Sequence, residues 1–394
     1  MRDDADTPTV GDAFADQPLE TWLRAWAAHG PPDHARRAAR AAYRGEPAWA
    51  TPGLARRLRR HLEAARPAVP APPVLREREA PDGVVKLLLG LDPTRGGGAV
   101  ETVLIPEARS ARSRAHMQAH LAPGARRPLA RRPRRAAGCV STQVGCGVGC
   151  AFCASGLDGL ARNLRPSEIV AQALHLRRAA TARGLHLGSL VLMGTGEPFH
   201  NLDGVQVALA NLTDPAGAQF GPGQLTVSTV GVPAGFERLA AAGPAVDLAI
   251  SLHAPDDALR EELVPLARRL PRIDELLRLG AAYALRTRRK VTISYVLLGE
   301  VNDGLDQARA LARRVRAHPG LSHVNLIPFN PVPGLAFARP PAERAYGFAA
   351  VLREAGIPTH VRKTRGAEAE AACGLLRRRS GPAPAAGPAE RAPP

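Results

Sequence analysis

The sequence predicts an α/β fold: a partial, open barrel of six β/α units, preceded by a small helical accessory region. Three observations predict it. After residue 139, short apolar runs alternate with amphipathic stretches of helical period. Polar, motif-like residues fall at or near the ends of those runs, where the catalytic groups of such barrels collect. Before residue 67 the apolar spacing is helical, and Pro67, Pro70, Pro72 and Pro73 then cut that segment off.

The elements follow in order along 394 residues, long enough for a large domain with smaller parts. Residues 1–16 carry Asp3, Asp4, Asp6, Asp12 and Asp16 and read as a loose acidic tail. They lack the basic start and apolar run of a signal peptide, and no run of about 18 apolar residues follows. A cytoplasmic protein with reduced thiols and no membrane contact is expected. In 17–66, Leu19, Trp22, Leu23 and Trp26 share one helical face and Leu54, Leu58 and Leu62 another. In 80–107, residues 84–91 and 99–105 read as strands joined by a turn at Gly96, Gly97 and Gly98.

Residues 108–138 contain Arg109, Arg112, Arg114, Arg126, Arg127, Arg131, Arg132, Arg134 and Arg135 and no acid. They read as an exposed insert, either a passive loop or an arm that grips phosphates. The net charge of +17 fits a polyanionic partner, because lysine and arginine on phosphates release condensed counterions. Arginine drift on a solvated surface is the plainer explanation of the same number.

The barrel is expected over 139–376. Its strands are 139–144, 189–193, 225–230, 246–252, 291–298 and 323–328. Helices are expected near 203–213, 233–242, 272–285 and 304–317, with another capped by Ser167. Strands alternating with helices imply a parallel sheet. Residues 377–394, rich in Pro, Ala and Arg, read as a disordered tail.

The chemistry lies in five cysteines. Cys146, Cys150 and Cys153 form C-x3-C-x2-C, with Gly147 and Gly149 allowing the loop to wrap tightly. Three thiolates on a [4Fe–4S] cluster leave one iron open to chelate S-adenosylmethionine (SAM) and pass it an electron. The competing explanation is a structural zinc site with Cys139 as fourth ligand, although zinc sites favour two separated pairs. Gly194-Thr-Gly-Glu-Pro198 follows a strand, and Glu197 there can accept from the SAM ammonium; alone it is also an ordinary turn. Ser228, Ser251, His253 and Asn330 fall late in, or just after, later strands. Each suits an ordinary loop polar, and together they suit the polar rim of a ligand site.

These residues resemble the RlmN/Cfr family of radical-SAM adenine methyltransferases of 23S ribosomal RNA. The resemblance runs in order over about 80–376. It covers Val100-Glu-Thr-Val-Leu-Ile-Pro-Glu107, Cys139-Val-Ser-Thr-Gln-Val-Gly-Cys146, Cys150-Ala-Phe-Cys153 and Arg162-Asn-Leu164. It continues through Gly194-Thr-Gly-Glu-Pro198, Ser251-Leu-His-Ala-Pro255, Val301-Asn-Asp303 and Asn325-Leu-Ile-Pro-Phe-Asn330. It closes on Arg362-Lys-Thr-Arg-Gly366 and Ala371-Ala-Cys-Gly374. The 108–138 insert is longer than the family's usual link, and Ala154-Ser-Gly156 stands in place of Ala-Thr-Gly.

The resemblance implies a radical-SAM barrel, a [4Fe–4S] cluster on Cys146, Cys150 and Cys153, and two SAM molecules per turnover. It makes 17–66 an RNA-binding accessory domain, by position. It makes Cys373, otherwise a small buried hydrophobe, the methyl carrier. One SAM methylates its sulfur, and a radical from a second SAM takes hydrogen from that S-methyl group. The carbon radical then adds to adenine. Cys139 becomes the thiol that resolves the protein–RNA link, closing a disulfide with Cys373. Glu101, otherwise a strand glutamate at the surface, becomes a proton acceptor. SAM contacts carry over to Gly196, Glu197, Ser228, Ser251, Leu252, His253 and Asn330. The implied partners are 23S ribosomal RNA, a tRNA adenosine, and a one-electron reductant such as flavodoxin or ferredoxin, with the enzyme a monomer. The expected product is a C2-methylated adenosine of the peptidyl-transferase centre. The alternatives are C8 methylation of the same base, as in the Cfr branch with its antibiotic resistance, and a non-catalytic iron–sulfur RNA-binding protein.

Overall fold

A computed structural model describes residues 14–107 and 134–363. Three helices come first: α1 (Leu19–Ala27), α2 (Pro32–Arg44) and α3 (Arg56–Ala65). Their buried side chains include Leu19, Trp26, Leu58 and Leu62, while Trp22 and Leu23 are half-buried against them. This helical group shares one continuous apolar core with the barrel helices. The junction is specific, since Asn211 in the barrel accepts from Leu19 N at 2.7 Å and donates to the carbonyls of Ala15 and Gln17.

The expected acidic tail ends early. Phe14 and Ala15 are buried, with Phe14 stacked on Trp26, and Asp16 accepts from Ser167 N at 3.0 Å and pairs with Arg95 at 3.1 Å. Charge alone read these as tail; one aromatic ring finding a core outweighs that. The rest of the expected acidic tail, 1–13, lies outside the described residues.

Next comes an antiparallel run, β1 (Val74–Glu79), β2 (Val85–Gly90) and β3 (Ala99–Pro106). The first strand was not expected. It is an exposed, charged edge (Val-Leu-Arg-Glu-Arg-Glu) without apolar alternation, the usual dress of a strand that must not pair further.

The barrel begins at β4 (Arg134–Cys139), antiparallel to β3. The expected strand at 139–144 is therefore displaced. Its residues form the end of β4, a crossing segment and the short β5 (Gln143–Gly145), which pairs β6 (Leu160–Asn163) in a separate hairpin. Arg134 and Arg135, expected in the insert, lie in this first barrel strand, whose alternate residues Ala136 and Gly138 are buried on the helix side, Gly138 against Leu176, Leu187 and Leu190. The remaining insert arginines lie outside the described residues.

The units then follow as expected: α4 (Pro166–Ala182), β7 (Leu185–Leu192), α5 (Leu202–Thr213), β8 (Leu225–Thr229), α6 (Pro233–Ala241) and β9 (Asp247–Ser251). A short α7 (Asp257–Leu263) precedes α8 (Ile273–Thr287), β10 (Val291–Leu297), α9 (Leu305–Arg316) and β11 (His323–Pro328). Ser167 is not the cap of α4. Arg165 holds that position, and Glu168 reaches back to accept from Arg165 N at 2.8 Å. Two further elements, α10 (Ala342–Glu354) and β12 (Thr359–Val361), extend the sheet beyond the six expected units.

Ten of the twelve described strands form one sheet in the order β1-β2-β3-β4-β7-β8-β9-β10-β11-β12, parallel from β4 onward. Both edges stay unpaired with each other, so the barrel is open. On the outer face Leu190, Val227, Ile250, Ile293 and Leu326 meet the helices in the main core. Burying each such side chain stabilises the fold by about 1.5–3 kcal/mol. The inner face carries the alternate residues, and it mixes small apolar side chains with Lys86, Glu101, Thr226, Ser228, Ser251, Ser294 and Asn325.

Candidate active site

Residues opposite each other in a ladder project to the same face. The register therefore places Lys86, Val103, Cys139, Val191 and Thr226 in one row of the inner face. Ser228 stands opposite Ala249, itself opposite Thr292, and Ser251, Ser294, Asn325 and His360 form another row. Ser228 Oγ and Ser251 Oγ lie 3.2 Å apart. Two sequence-predicted site residues, 23 positions apart, are thus joined at the C-terminal ends of adjacent parallel strands.

The cysteine loop lies beyond β5. Cys146 is buried, with Cys150 and Cys153 half-buried against the same apolar shell of Val148, Phe152, Val230, Leu263, Leu298 and Phe329. Gly149 has the expected left-handed backbone (φ 69°), but Gly147 does not. The tight approach falls at Gly145 (φ 78°), where a Cβ would stand 2.0 Å from the Gly159 carbonyl oxygen. Burial pushes the Cys146 thiol up to about 11 and the Cys150 thiol well above its usual range, with the neighbouring thiols adding to the effect at Cys150. Thiols so disposed become thiolates only beside strong positive charge, which the irons of a cluster provide. The donor set fits a four-iron cluster: three sulfurs from one wrapped loop, in a dry shell. Among the described residues no three His, Cys, Asp or Glu side chains gather closely enough for a single metal ion, the arrangement a zinc site needs.

Glu197 follows β7 and is buried. Its Oε1 accepts from Phe199 N at 3.0 Å and its Oε2 from Val230 N at 2.9 Å. Burial nonetheless pushes its carboxyl up to about 7. The Thr229 side chain donates as well, and a carboxylate has about four lone-pair sites, so these three donors leave capacity for one more. Gly196 is tightly placed, since a Cβ there would meet Gln143 Cβ at 2.7 Å. Gln143 also accepts from Glu197 N at 2.8 Å and donates to Asn163 at 2.8 Å.

Leu252 is fully buried in the main core and contributes its backbone, donating to Ser294 O at 3.0 Å. His253 is buried at φ 64°. Its Nδ1 accepts from Val296 N at 3.0 Å, which places the ring proton on Nε2. Burial, aided by the Arg260 charge, pushes its imidazole down to about 3, so it is neutral at ordinary pH. Its ring meets the edge of Phe152 at 4.9 Å and so touches the cysteine loop. Asn330 follows β11 at the same strand ends, but its Oδ1 accepts from Arg339 at 2.8 Å instead of meeting the serines.

Glu101 is not at the surface. It is 3% exposed on β3, and its Oε2 pairs with Lys86 Nζ at 2.9 Å, Lys86 being 1% exposed. The Glu101 carbonyl accepts from Ser141 Oγ at 2.7 Å, and that same Oγ accepts from Thr195 N at 3.0 Å. One serine thus ties the Glu101 strand to the Gly194–Pro198 loop. Cys139, 8% exposed, is held beside them through Thr102 Oγ1, which donates to the Cys139 carbonyl at 2.7 Å. Cys373 lies outside the described residues.

Sequence reading missed Lys86, Ser141, Gln143 and Arg260. Lys86 left a signal, as the single charge in the apolar strand Val-Lys-Leu-Leu-Leu-Gly. Arg260, 1% exposed, donates to the Val230 carbonyl at 2.6 Å and so braces the segment that holds Glu197. Nothing in its local sequence marks it.

Residues 140–312 match the Radical SAM superfamily. A "Probable dual-specificity RNA methyltransferase RlmN" of Chloroflexus aurantiacus is 50% identical over 253 residues, 62% of this chain and 67% of that protein. A "Dual-specificity RNA methyltransferase RlmN" of Sorangium cellulosum is 40% identical over 333 residues, 82% of this chain and 84% of that protein. The crystal structure of a radical SAM methyltransferase from Sphaerobacter thermophilus matches with a TM-score of 0.76 and 39% identity, covering 92% of this chain and 98% of that one.

Proposed function

Because the chain belongs to the RlmN family of radical SAM RNA methyltransferases, we propose that it moves a methyl group from SAM, through Cys373, to C2 of an adenosine in 23S ribosomal RNA. The observation that carries this reading is one inner face. It brings Cys139, the Lys86–Glu101 pair and the Ser228–Ser251 pair together on a sheet whose strand ends also carry Glu197 and His253, and His253 touches the cysteine loop through Phe152.

When bound, the [4Fe–4S] cluster supplies one electron to the SAM sulfonium, and Cys146, Cys150 and Cys153 would hold it. Glu197 accepts from the SAM ammonium with the carboxylate capacity that the two amides and Thr229 leave. Ser228 and Ser251 offer hydroxyls to the sugar, and neutral His253 packs the cluster loop against the end of β9. Cys373 carries the methyl group after a first SAM is consumed, and a second SAM starts the transfer. Glu101 takes the ring proton. Cys139 then resolves the protein–RNA link by forming a disulfide with Cys373. The reductant is a one-electron protein such as flavodoxin or ferredoxin.

The relatives carry the RlmN name and not that of Cfr, which supports C2 over C8. Their dual specificity fits a tRNA adenosine as second substrate. A non-catalytic iron–sulfur RNA-binding protein would have no use for Cys139 or for a carboxylate–ammonium pair inside the barrel. No helix among the described residues is long and apolar enough to cross a membrane.

The test is mass spectrometry of ribosomal RNA nucleosides from a host lacking its own enzyme and expressing this protein or its Cys373→Ala variant. 2-Methyladenosine made only by the intact protein is expected. 8-Methyladenosine would overturn the position. Neither product, from soluble and cluster-loaded protein, would overturn the substrate.

A further inference from the structure

We propose that Lys86 is a positioning residue for the proton transfer, acting through Glu101. This rests on the reading of Glu101 as the proton acceptor. A buried ion pair gains its Coulomb energy only against a large desolvation cost, so it is weak evidence for stability by itself. This one sits where the chemistry is. Lys86 and Glu101 are diagonal neighbours on the inner face, since Leu88 stands opposite Glu101 and Lys86 opposite Val103. Cys139 stands opposite Val103 on the other side. The ammonium therefore lies in the row of the resolving thiol while holding the carboxylate of the row beside it.

Glu101 is held at its backbone and at its carboxylate. Its backbone is held by Ser141, which also holds the SAM loop, and its Oε2 by Lys86. A rigid hold of this kind is what a proton acceptor needs, because it must lie within hydrogen-bond reach of one C–H bond. In the step itself, the ring C2–H bond breaks and its electron pair stays in the ring. The proton forms an O–H bond with Glu101, and Lys86 keeps all its protons throughout. A lysine here supplies one compact charge that fixes one oxygen. An arginine fork would claim both oxygens.

The experiment uses reconstituted enzyme and a 23S RNA fragment with hydrogen or deuterium at C2 of the target adenosine. Lys86→Met, Lys86→Arg and Glu101→Gln are compared with the wild type for methylated product and for 5′-deoxyadenosine. For Lys86→Met we expect the cluster absorbance and 5′-deoxyadenosine to persist while methylation falls about 100-fold. A primary isotope effect from C2 deuterium, absent in the wild type, should appear, because proton removal becomes the slow step. Lys86→Arg should show the same isotope effect with a smaller loss. If Lys86→Met does not load its cluster, Lys86→Arg decides alone: wild-type methylation, or a loss without an isotope effect, overturns the positioning role. If Glu101→Gln itself methylates normally, the failure belongs to the Glu101 assignment and not to Lys86.

Discussion

Glu197 and Glu101, two of the carboxylates buried among the described residues, are held in opposite ways. Glu197, past the end of β7, is met by the backbone amides of Phe199 and Val230. Glu101, on β3, is met by the full charge of Lys86. Amide dipoles offset only part of the desolvation cost, so burial leaves the Glu197 carboxyl pushed up to about 7. Such a group is set to receive a cation from outside, and the SAM ammonium is one. Glu101 has its cation built in. In the proposed function the parallel half of the sheet binds and its antiparallel extension reacts.

The largest effect expected from breaking this contrast is at Glu101. Glu101→Leu leaves the Lys86 ammonium buried without this carboxylate and should cost about 3–5 kcal/mol of stability. Adding Lys86→Met should recover most of that loss in urea denaturation. Strictly additive losses in the double variant would show that the two charges are not coupled.

A smaller effect is expected at Glu197. Glu197→Gln removes a charge that no side-chain cation balances in the described contacts, so it should cost about 1 kcal/mol, near one hydrogen bond. Its larger consequence is for binding. The empty site holds a proton below about pH 7, and an entering ammonium must displace it. Affinity for S-adenosylhomocysteine, measured by calorimetry, should therefore weaken as pH falls through 7 in the wild type and stay flat in Glu197→Gln. The same shift makes the empty protein lose stability as pH rises from about 4.5 to about 7, because the unfolded chain ionises first. A pH-independent affinity in the wild type would remove Glu197 from the ammonium site.

The smallest effect is at the serine pair. Ser228→Ala removes one hydroxyl from a pair 3.2 Å apart and should weaken the same ligand by about 1 kcal/mol, roughly fivefold. Stability should hardly change, because both side chains are only half-buried. A loss of folding instead of affinity would make the pair structural.

Much of the barrel was legible because its strands are apolar on the helix side and its helices have one apolar stripe. Val291–Leu297 and His323–Pro328 are read nearly to the residue for that reason. β1 was hidden because an exposed edge has no apolar alternation, and β12 because three residues carry no period. The first barrel strand was misplaced by five residues. Arg134 and Arg135 look like loop on composition, yet they occupy strand positions beside Leu185 and His186.

By itself the sequence determined the chemistry that local spacing can carry. Cys146, Cys150 and Cys153 lie within eight residues, and a loop that short must bring them near one centre whatever surrounds it. Only the tertiary structure decided which distant residues face them. Lys86 meets Glu101 through an antiparallel register, Ser228 meets Ser251 through a parallel one, and Glu197 is held by an amide 33 residues away. The physical reason is that periodicity along a chain records which face a residue takes. Which partner stands opposite is set by strand order and register, and those emerge only when the whole sheet packs against its helices.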